Sequence, residues 1–113
     1  MAQIEHINSR ALNKPVVELA SYKNILLSKA HRLVLADDEE VELTKFEFDL
    51  LCVLMSNPGR AFSFEQLHRH MWDDDITSSP ITSVKNTIAR IRKKIGNVDF
   101  IENIYGFGYK IPL

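Results

Sequence analysis

The most regular pattern of hydrophobic and polar positions in this sequence runs from residue 81 to residue 95. Large aliphatic residues recur there at intervals of three and four, the spacing that places side chains on one face of an α-helix. These residues are Ile81, Val84, Ile88, Ile91 and Ile95. The pattern predicts an amphipathic helix over residues 81–95 whose aliphatic face packs against the core.

The opposite face of this predicted helix is polar and contains no acidic residue. On a helical wheel it centres on Asn86, Arg90 and Lys93, with Lys85 and Arg92 at its borders. Small or hydroxyl-bearing residues flank the centre: Thr82, Ser83, Thr87 and Ala89. Cations and amides beside small residues have the chemistry needed to enter the major groove of DNA. An ordinary solvated basic face is the alternative, and this helix alone does not exclude it.

Residues 16–43 instead show the composition and spacing of short β-strands. The segments VVEL, KNILL, HRLVL and EVEL are separated by Ala-Ser-Tyr, Ser-Lys-Ala and an acidic stretch from Ala36 to Glu40. Connections this short leave no room for helices, so neighbouring strands are expected to pair through tight turns as an antiparallel meander. Residues 1–15 have no strong period and are predicted to be a tail or an interdomain linker.

Two capping boxes predict where two further helices begin. Thr44-Lys45-Phe46-Glu47 precedes a strongly apolar segment that ends at Ser56-Asn57-Pro58-Gly59. Ser63-Phe64-Glu65-Gln66 precedes a shorter segment that extends to Met71 or Trp72. In a capping box, the first and fourth residues satisfy each other's backbone N–H groups. Gly96 is expected to end the helix of residues 81–95 in a left-handed conformation.

The end of the chain has the pattern of a β-hairpin. FIENI and YKIPL are predicted strands, and the glycines of Tyr105-Gly106-Phe107-Gly108 permit the positive φ of a tight turn between them. The predicted fold is therefore α+β, a winged helix-turn-helix with an N-terminal antiparallel sheet, three helices and a C-terminal hairpin wing. One such domain is expected to occupy residues 16–113, a common domain size.

Charge is distributed unevenly along the 113 residues, although the formal net charge is only −1. Residues 37–75 contain 11 of the 15 acidic residues, whereas residues 76–98 contain no acid and five cations. These cations are Lys85, Arg90, Arg92, Lys93 and Lys94. A basic segment of this kind can attract a polyanion locally even when the whole chain is slightly acidic.

Several other classes of protein are disfavoured by the sequence. No apolar run approaches the roughly 20 residues of a membrane helix, and residues 1–14 lack the features of a signal peptide. The single cysteine, Cys52, cannot form an internal disulfide, which favours a cytoplasmic location. His68 and His70 point in different directions on a helix, so no metal site is expected. We find no candidate catalytic group and expect neither enzymatic activity nor a cofactor.

Three segments resemble the DNA-binding effector domain of OmpR/PhoB-type response regulators, which also occurs in ToxR/CadC-like membrane regulators. EVELTKFEFDLLCVLMSNPGRAFSFEQL is similar to the first two helices of that family, VKNTIARIRKKIG to its recognition helix, and IENIYGFGYKI to its wing. The resemblance covers roughly residues 22–111, and the three segments occur in the family's order and at similar spacing. It implies a transcription regulator of two-component regulatory systems that binds a specific double-stranded DNA sequence.

The resemblance also implies roles for individual residues. On the recognition helix, the positions matching major-groove contacts are Thr82, Ser83, Asn86, Thr87, Arg90 and Lys93. Arg90 matches a base or phosphate contact and Arg92 a phosphate contact, although Arg92 could instead pack its stem on the core and pair with an acid. For Lys93 and Lys94, phosphate contact and plain solvation remain open. In the wing, Asn103 and Tyr105 match positions near the minor groove.

The loop before the recognition helix contacts RNA polymerase in several members of the family. The matching residues here are Asp73, Asp74, Asp75, Thr77 and Ser78, for which a solvated loop is the alternative. Many relatives have arginine at the positions of Thr82 and Tyr105 and an acid at that of Lys85. These differences are expected to change base preference rather than the fold.

Duplex DNA is the expected partner, bound by a homodimer on repeated half-sites because one module offers few contacts. No small-molecule substrate is expected. The sequence leaves open an excised effector domain, a regulator without a receiver domain, or the cytoplasmic part of a membrane regulator. A winged helix that docks an acidic protein is the alternative function. An RNA-binding module is less favoured, because such modules expose stacking aromatic residues on a sheet.

Overall fold

The computed structural model of this chain describes residues 19–71, 79–96 and 99–113. Its elements are β1 (Leu19–Tyr22), β2 (Ile25–Ser28), β3 (Leu33–Ala36), β4 (Glu39–Glu40), α1 (Lys45–Ser56), β5 (Phe62–Ser63), α2 (Phe64–His68), α3 (Pro80–Ile95), β6 (Glu102–Ile104) and β7 (Gly108–Lys110). The first four strands form an antiparallel sheet in sequence order, and the other three form a sheet in the order β5-β7-β6. The predicted α+β architecture is confirmed. The predicted tail, residues 1–15, lies outside the described residues.

The first strand ends further along the chain than the sequence predicted. Ala20, Ser21 and Tyr22 were expected to form a turn, but they belong to β1, whose register pairs Leu19 with Ser28 and Tyr22 with Ile25. The connection to β2 needs only two residues because Lys23 adopts a positive φ of 53°. Residues 16–18 of the predicted strand VVEL lie outside the described residues.

Helix α1 is the centre of the hydrophobic core, as its apolar composition predicted. Its Leu50, Leu51 and Leu54 are fully buried. They belong to one cluster of buried residues that also includes Ile25 of β2 and Ile111, which follows β7. The helices, the N-terminal sheet and the wing therefore share a single core.

Both predicted capping boxes are present. Thr44 Oγ1 accepts a hydrogen bond from the Glu47 N–H at 3.3 Å, and Glu47 Oε1 accepts one from the Thr44 N–H at 2.9 Å. The same reciprocal pair joins Ser63 and Gln66 at 3.1 and 2.8 Å. Helix α2 ends at His68, before the predicted Met71, so it is a short helix of five residues.

The wing is anchored by a strand that the sequence analysis missed. Phe62 and Ser63 form β5, which pairs with Tyr109 and Gly108 of β7. Two residues are too few to show a strand pattern, so only the partner strand reveals this one. The structure also corrects the role of one glycine. Gly106 has the expected positive φ of 70°, whereas Gly108 does not have a positive φ.

Gly108 is instead required by the close approach of two backbones. A Cβ atom at this position would lie 1.9 Å from the carbonyl oxygen of Phe62, while one at Gly106 would meet no atom within 4 Å. A side chain at Gly108 would therefore force β7 away from β5.

We expect Gly108→Ala to destabilise the fold more than Gly106→Ala. The backbone clash with Phe62 should cost about 3 kcal/mol, as overpacking does in a close-packed interior. Alanine in the left-handed conformation at Gly106 should cost about 1 kcal/mol. Chemical unfolding of both variants measures the difference. Equal losses would contradict the close approach of β5 and β7.

Candidate nucleic-acid interface

Helix α3 begins and ends with the caps that its sequence provides. The Thr82 N–H donates to Ser79 Oγ at 3.1 Å, and Pro80 occupies the first turn, where its missing N–H is not needed. At the other end Gly96 has a φ of 81°, so the predicted left-handed cap is confirmed. The helix covers 16 residues, one more at its start than predicted.

The buried face of α3 is wider than the aliphatic stripe. Val84, Ile88 and Ile91 are fully buried, as predicted. Ser83 and Thr87 were predicted to be exposed, and this prediction is wrong because they are only 8% and 2% exposed. Thr87 Oγ1 donates to the Ser83 carbonyl at 2.8 Å, which satisfies the buried hydroxyl within the helix.

The buried face is wider because α3 packs against α2 as well as against α1. Met71, which follows α2, is itself buried and has its Sδ 3.9 Å from Thr87 Oγ1. A wheel that assigns burial by hydrophobicity alone misses this second contact. The stripe is also shorter than predicted, because Ile81 is 44% exposed and Ile95 is only half-buried. Only its part from Val84 to Ile91 is fully buried.

The exposed face of α3 is mostly polar. Its exposed residues are Thr82, Lys85, Asn86, Ala89, Arg90, Lys93 and Lys94, together with Ile81. The predicted exposure of Thr82, Asn86, Arg90 and Lys93 is confirmed, whereas their contact with DNA stays a prediction. Arg90 and Lys93 take part in none of the ion pairs between described residues.

Arg92 is engaged inside the protein. Its Nη2 donates to the Ile101 carbonyl at 2.5 Å and to Asn103 Oδ1 at 2.6 Å. Its guanidinium carbon also lies 5.6 Å from the ring centroid of Tyr109. These hydrogen-bond partners of Arg92, among the described residues, are a carbonyl and an amide oxygen rather than an acid. Both oxygens are within reach of Arg92 because residues 101–103 lie beside the last turn of α3.

The tip of the wing is an exposed aromatic turn. Tyr105 is fully exposed and Phe107 is 43% exposed. The Phe107 N–H donates to the Ile104 carbonyl at 2.9 Å, which closes the turn around Gly106. Asn103 is also exposed, two residues before the tip. The predicted polymerase-contact residues Asp73, Asp74, Asp75, Thr77 and Ser78 lie outside the described residues.

Lys94 pairs with a buried acid, a contact that the sequence analysis did not predict. Lys94 Nζ lies 2.6 Å from Glu47 Oε1, and the Glu47 side chain is only 1% exposed. Burial by itself would raise the pKa of Glu47, but hydrogen bonds from Lys94 and from the Thr44 backbone outweigh it and the pKa is lowered. The pair joins α1 to the last turn of α3.

We expect Lys94→Met to destabilise the protein by about 2 kcal/mol at neutral pH, because it leaves the buried Glu47 carboxylate without its cation. Since the pKa of Glu47 is lowered in the fold, the stabilisation is present above the carboxyl's ordinary, unfolded-state pKa. It is lost as pH falls through the folded-state value.

Unfolding free energies measured from pH 7 to pH 3 test this expectation. The difference between the wild type and Lys94→Met should shrink as the carboxyl becomes protonated. Lys93→Met is the matched control, because Lys93 is exposed and joins no ion pair between described residues. An equal effect of the two substitutions would contradict the role of the pair.

Two capped helices, a third helix with a polar exposed face, and a following hairpin define the winged helix-turn-helix class. Among the described residues, no helix combines the length and apolar character required to cross a membrane. Residues 38–111 match the family described as "Transcriptional regulatory protein, C terminal". The chain belongs to this family, and its resemblance to OmpR/PhoB-type regulators is confirmed.

Two relatives illustrate the similarity in sequence. The transcriptional regulatory protein VxrB of Vibrio cholerae is 37% identical over 89 residues, which cover 78% of this chain and 35% of VxrB. The transcriptional regulatory protein CutR of Streptomyces coelicolor is 38% identical over 98 residues, which cover 86% of this chain and 43% of CutR. The chain thus spans less than half the length of these relatives.

Solved structures show the same fold. The response regulator DrrB of Thermotoga maritima, an OmpR/PhoB homologue, is 28% identical with a TM-score of 0.76, and the match covers 92% of this chain and 48% of DrrB. The DNA-binding domain of Klebsiella pneumoniae RstA, solved in complex with the RstA box, has a TM-score of 0.70 at 22% identity. That match covers 84% of this chain and 97% of the RstA domain.

Proposed function

We propose that this chain is the DNA-binding domain of a transcription regulator and that it binds a specific duplex sequence through α3. The observation that carries the proposal is the exposed face of that helix, which presents Thr82, Asn86, Arg90 and Lys93 with no acid among them. An α-helix fits the major groove, where side chains reach the edges of the bases. The family membership and the DNA complexes of structural neighbours, RstA among them, support the proposal.

Each exposed side chain suits a particular contact. Arg90 can donate two hydrogen bonds to guanine, and Asn86 can pair with adenine. Thr82 lies in the first turn, where a short hydroxyl side chain permits close approach to either base or phosphate. Lys93, in the last turn, suits a phosphate. We exclude Ser83 and Thr87 from the contact set because both are buried.

The wing supplies a second contact region in this proposal. Asn103 and Tyr105 would lie at the minor groove beside the major groove that α3 occupies. Tyr105 suits this position because it is fully exposed at the hairpin tip. Tyr105 is uncharged. Binding by the wing would therefore depend less on the negative charge of the phosphates than it would with an arginine at this position.

We further propose the partners and setting of the domain. A homodimer would occupy repeated half-sites, since a single recognition helix contacts few base pairs. The partner proposed for Asp73, Asp74, Asp75, Thr77 and Ser78 is RNA polymerase. The domain would act in the cytoplasm, where bacterial DNA lies, and would carry out binding rather than catalysis.

We expect Arg90→Ala to weaken binding to the specific site by about 1 to 3 kcal/mol and to relax the preference at one base pair. Selection from random duplexes would first identify the site. Binding is then measured on that site and on random DNA of equal length. Equal losses on both duplexes would contradict the assignment of Arg90 to a base.

We expect Lys93→Ala to weaken specific and random binding alike. Loss of one phosphate contact should lower the slope of log affinity against log salt concentration by about 0.9. Lys29→Ala is the control, because Lys29 lies between β2 and β3 in a groove whose lining includes no residue of α3 or of the terminal hairpin, and it should leave the slope unchanged. A slope unaffected by Lys93→Ala would remove Lys93 from the interface.

The same salt series distinguishes the competing functions. A domain that docks an acidic protein would show no salt-dependent binding to duplex DNA. An RNA-binding module would prefer an RNA of matched sequence. The proposed function requires salt-dependent duplex binding with a clear preference for DNA.

A further inference from the structure

The end of α3 contacts the wing through the side chain of Arg92. A single atom, Arg92 Nη2, donates hydrogen bonds to the Ile101 carbonyl and to Asn103 Oδ1. Asn103 is paired with Tyr109 across the β6–β7 ladder, so their side chains lie on the same face of the hairpin. The guanidinium of Arg92 meets both of them there. Arg92 therefore links the helix to the strand that leads into the wing tip.

This contact fixes which way the Asn103 amide is turned. A guanidinium has five N–H donors and no acceptor, so it can bind only the oxygen of an amide. Turning the amide over would place its NH2 group against the donors of Arg92. The Oδ1 of Asn103 is therefore turned towards Arg92, and its NH2 group is turned away from that contact.

The NH2 group of Asn103 matches one kind of base pair in the minor groove. A·T and T·A pairs present only acceptors there, N3 of adenine and O2 of thymine, whereas G·C pairs add the N2 amino donor of guanine. An amide that presents its NH2 group would bind the acceptors of an A·T pair. It would meet another donor at a G·C pair.

We propose that Arg92 is a positioning residue that presents Asn103 to the minor groove as a hydrogen-bond donor, so that the wing prefers A·T base pairs. The proposal rests on the proposed function and deepens it. Arg92, which matches a phosphate contact in the family, has here an internal role. Because the guanidinium of Arg92 joins α3 to β6, it also fixes the distance between the helix that contacts the major groove and the strand that contacts the minor groove.

The test uses three duplexes that differ at the base pair beneath the wing, which footprinting on the selected site identifies. That pair is A·T, G·C or I·C, where inosine is guanine without its minor-groove amino group. I·C resembles G·C in the major groove and A·T in the minor groove. The wild type should bind A·T and I·C alike and G·C about fivefold more weakly, as expected for one hydrogen bond.

Two substitutions separate the donor from the residue that positions it. Asn103→Asp keeps an oxygen for Arg92 but has only acceptors, so the ratio of A·T to G·C affinity should fall to one or below. Arg92→Ala should also reduce this ratio, because the amide can then turn over. It should leave the salt slope unchanged, since no phosphate contact is lost. Arg90→Ala should weaken all three duplexes while keeping the ratio.

A fall of the salt slope by about 0.9 in Arg92→Ala with the ratio kept would overturn the proposal, because Arg92 would then be a phosphate contact. Wild-type binding that is equal on A·T and G·C, or equal on G·C and I·C, would also overturn it. Any of these three results would leave the proposed function intact, whereas absence of duplex binding would refute both proposals. If the Arg92→Ala variant does not fold, the ratio of A·T to G·C affinity measured for Asn103→Asp is the decisive result.

Discussion

The fold depends on the packing of one face of α3 in the hydrophobic core while the opposite face stays exposed to solvent. Val84, Ile88 and Ile91 are completely removed from solvent, and burial of each such side chain contributes on the order of 2 kcal/mol. The buried hydroxyl of Thr87 adds to this face without an unsatisfied group, because it bonds within the helix. A helix anchored in this way can present polar side chains without losing its position, which recognition of a groove requires.

The five cations of residues 76–98 are therefore not equivalent. Lys94 neutralises the buried Glu47, and Arg92 binds two oxygens of the segment that leads into the wing. Arg90 and Lys93 join no ion pair within the described part of the chain. The first two join the helix to the rest of the domain, whereas the second two are the cations that we propose contact DNA. A count of charges in the sequence cannot separate these two groups of cations, although the separation decides how strongly binding should depend on salt concentration.

The features that the sequence predicted correctly are mostly local. The two capping boxes, Gly96 and the turn at Gly106 depend on a few neighbouring residues, so their sequence motifs are sufficient. The features it missed depend on contacts distant in sequence. Ser83 and Thr87 are buried because α3 packs near Met71, β5 exists only through pairing with β7, and Gly108 is needed because Phe62 passes close to it. The orientation of Asn103 likewise requires Arg92 to be placed beside it.

The central claim is that one face of α3, together with the wing, forms the surface that binds duplex DNA. The most direct measurement is an NMR titration of the labelled protein with the selected duplex, which follows every backbone amide. The account predicts shifts concentrated at Thr82, Asn86, Arg90 and Lys93 and at residues 103–106, with little change in β1 to β4. Shifts confined to the N-terminal sheet, or no shifts at low salt, would contradict it.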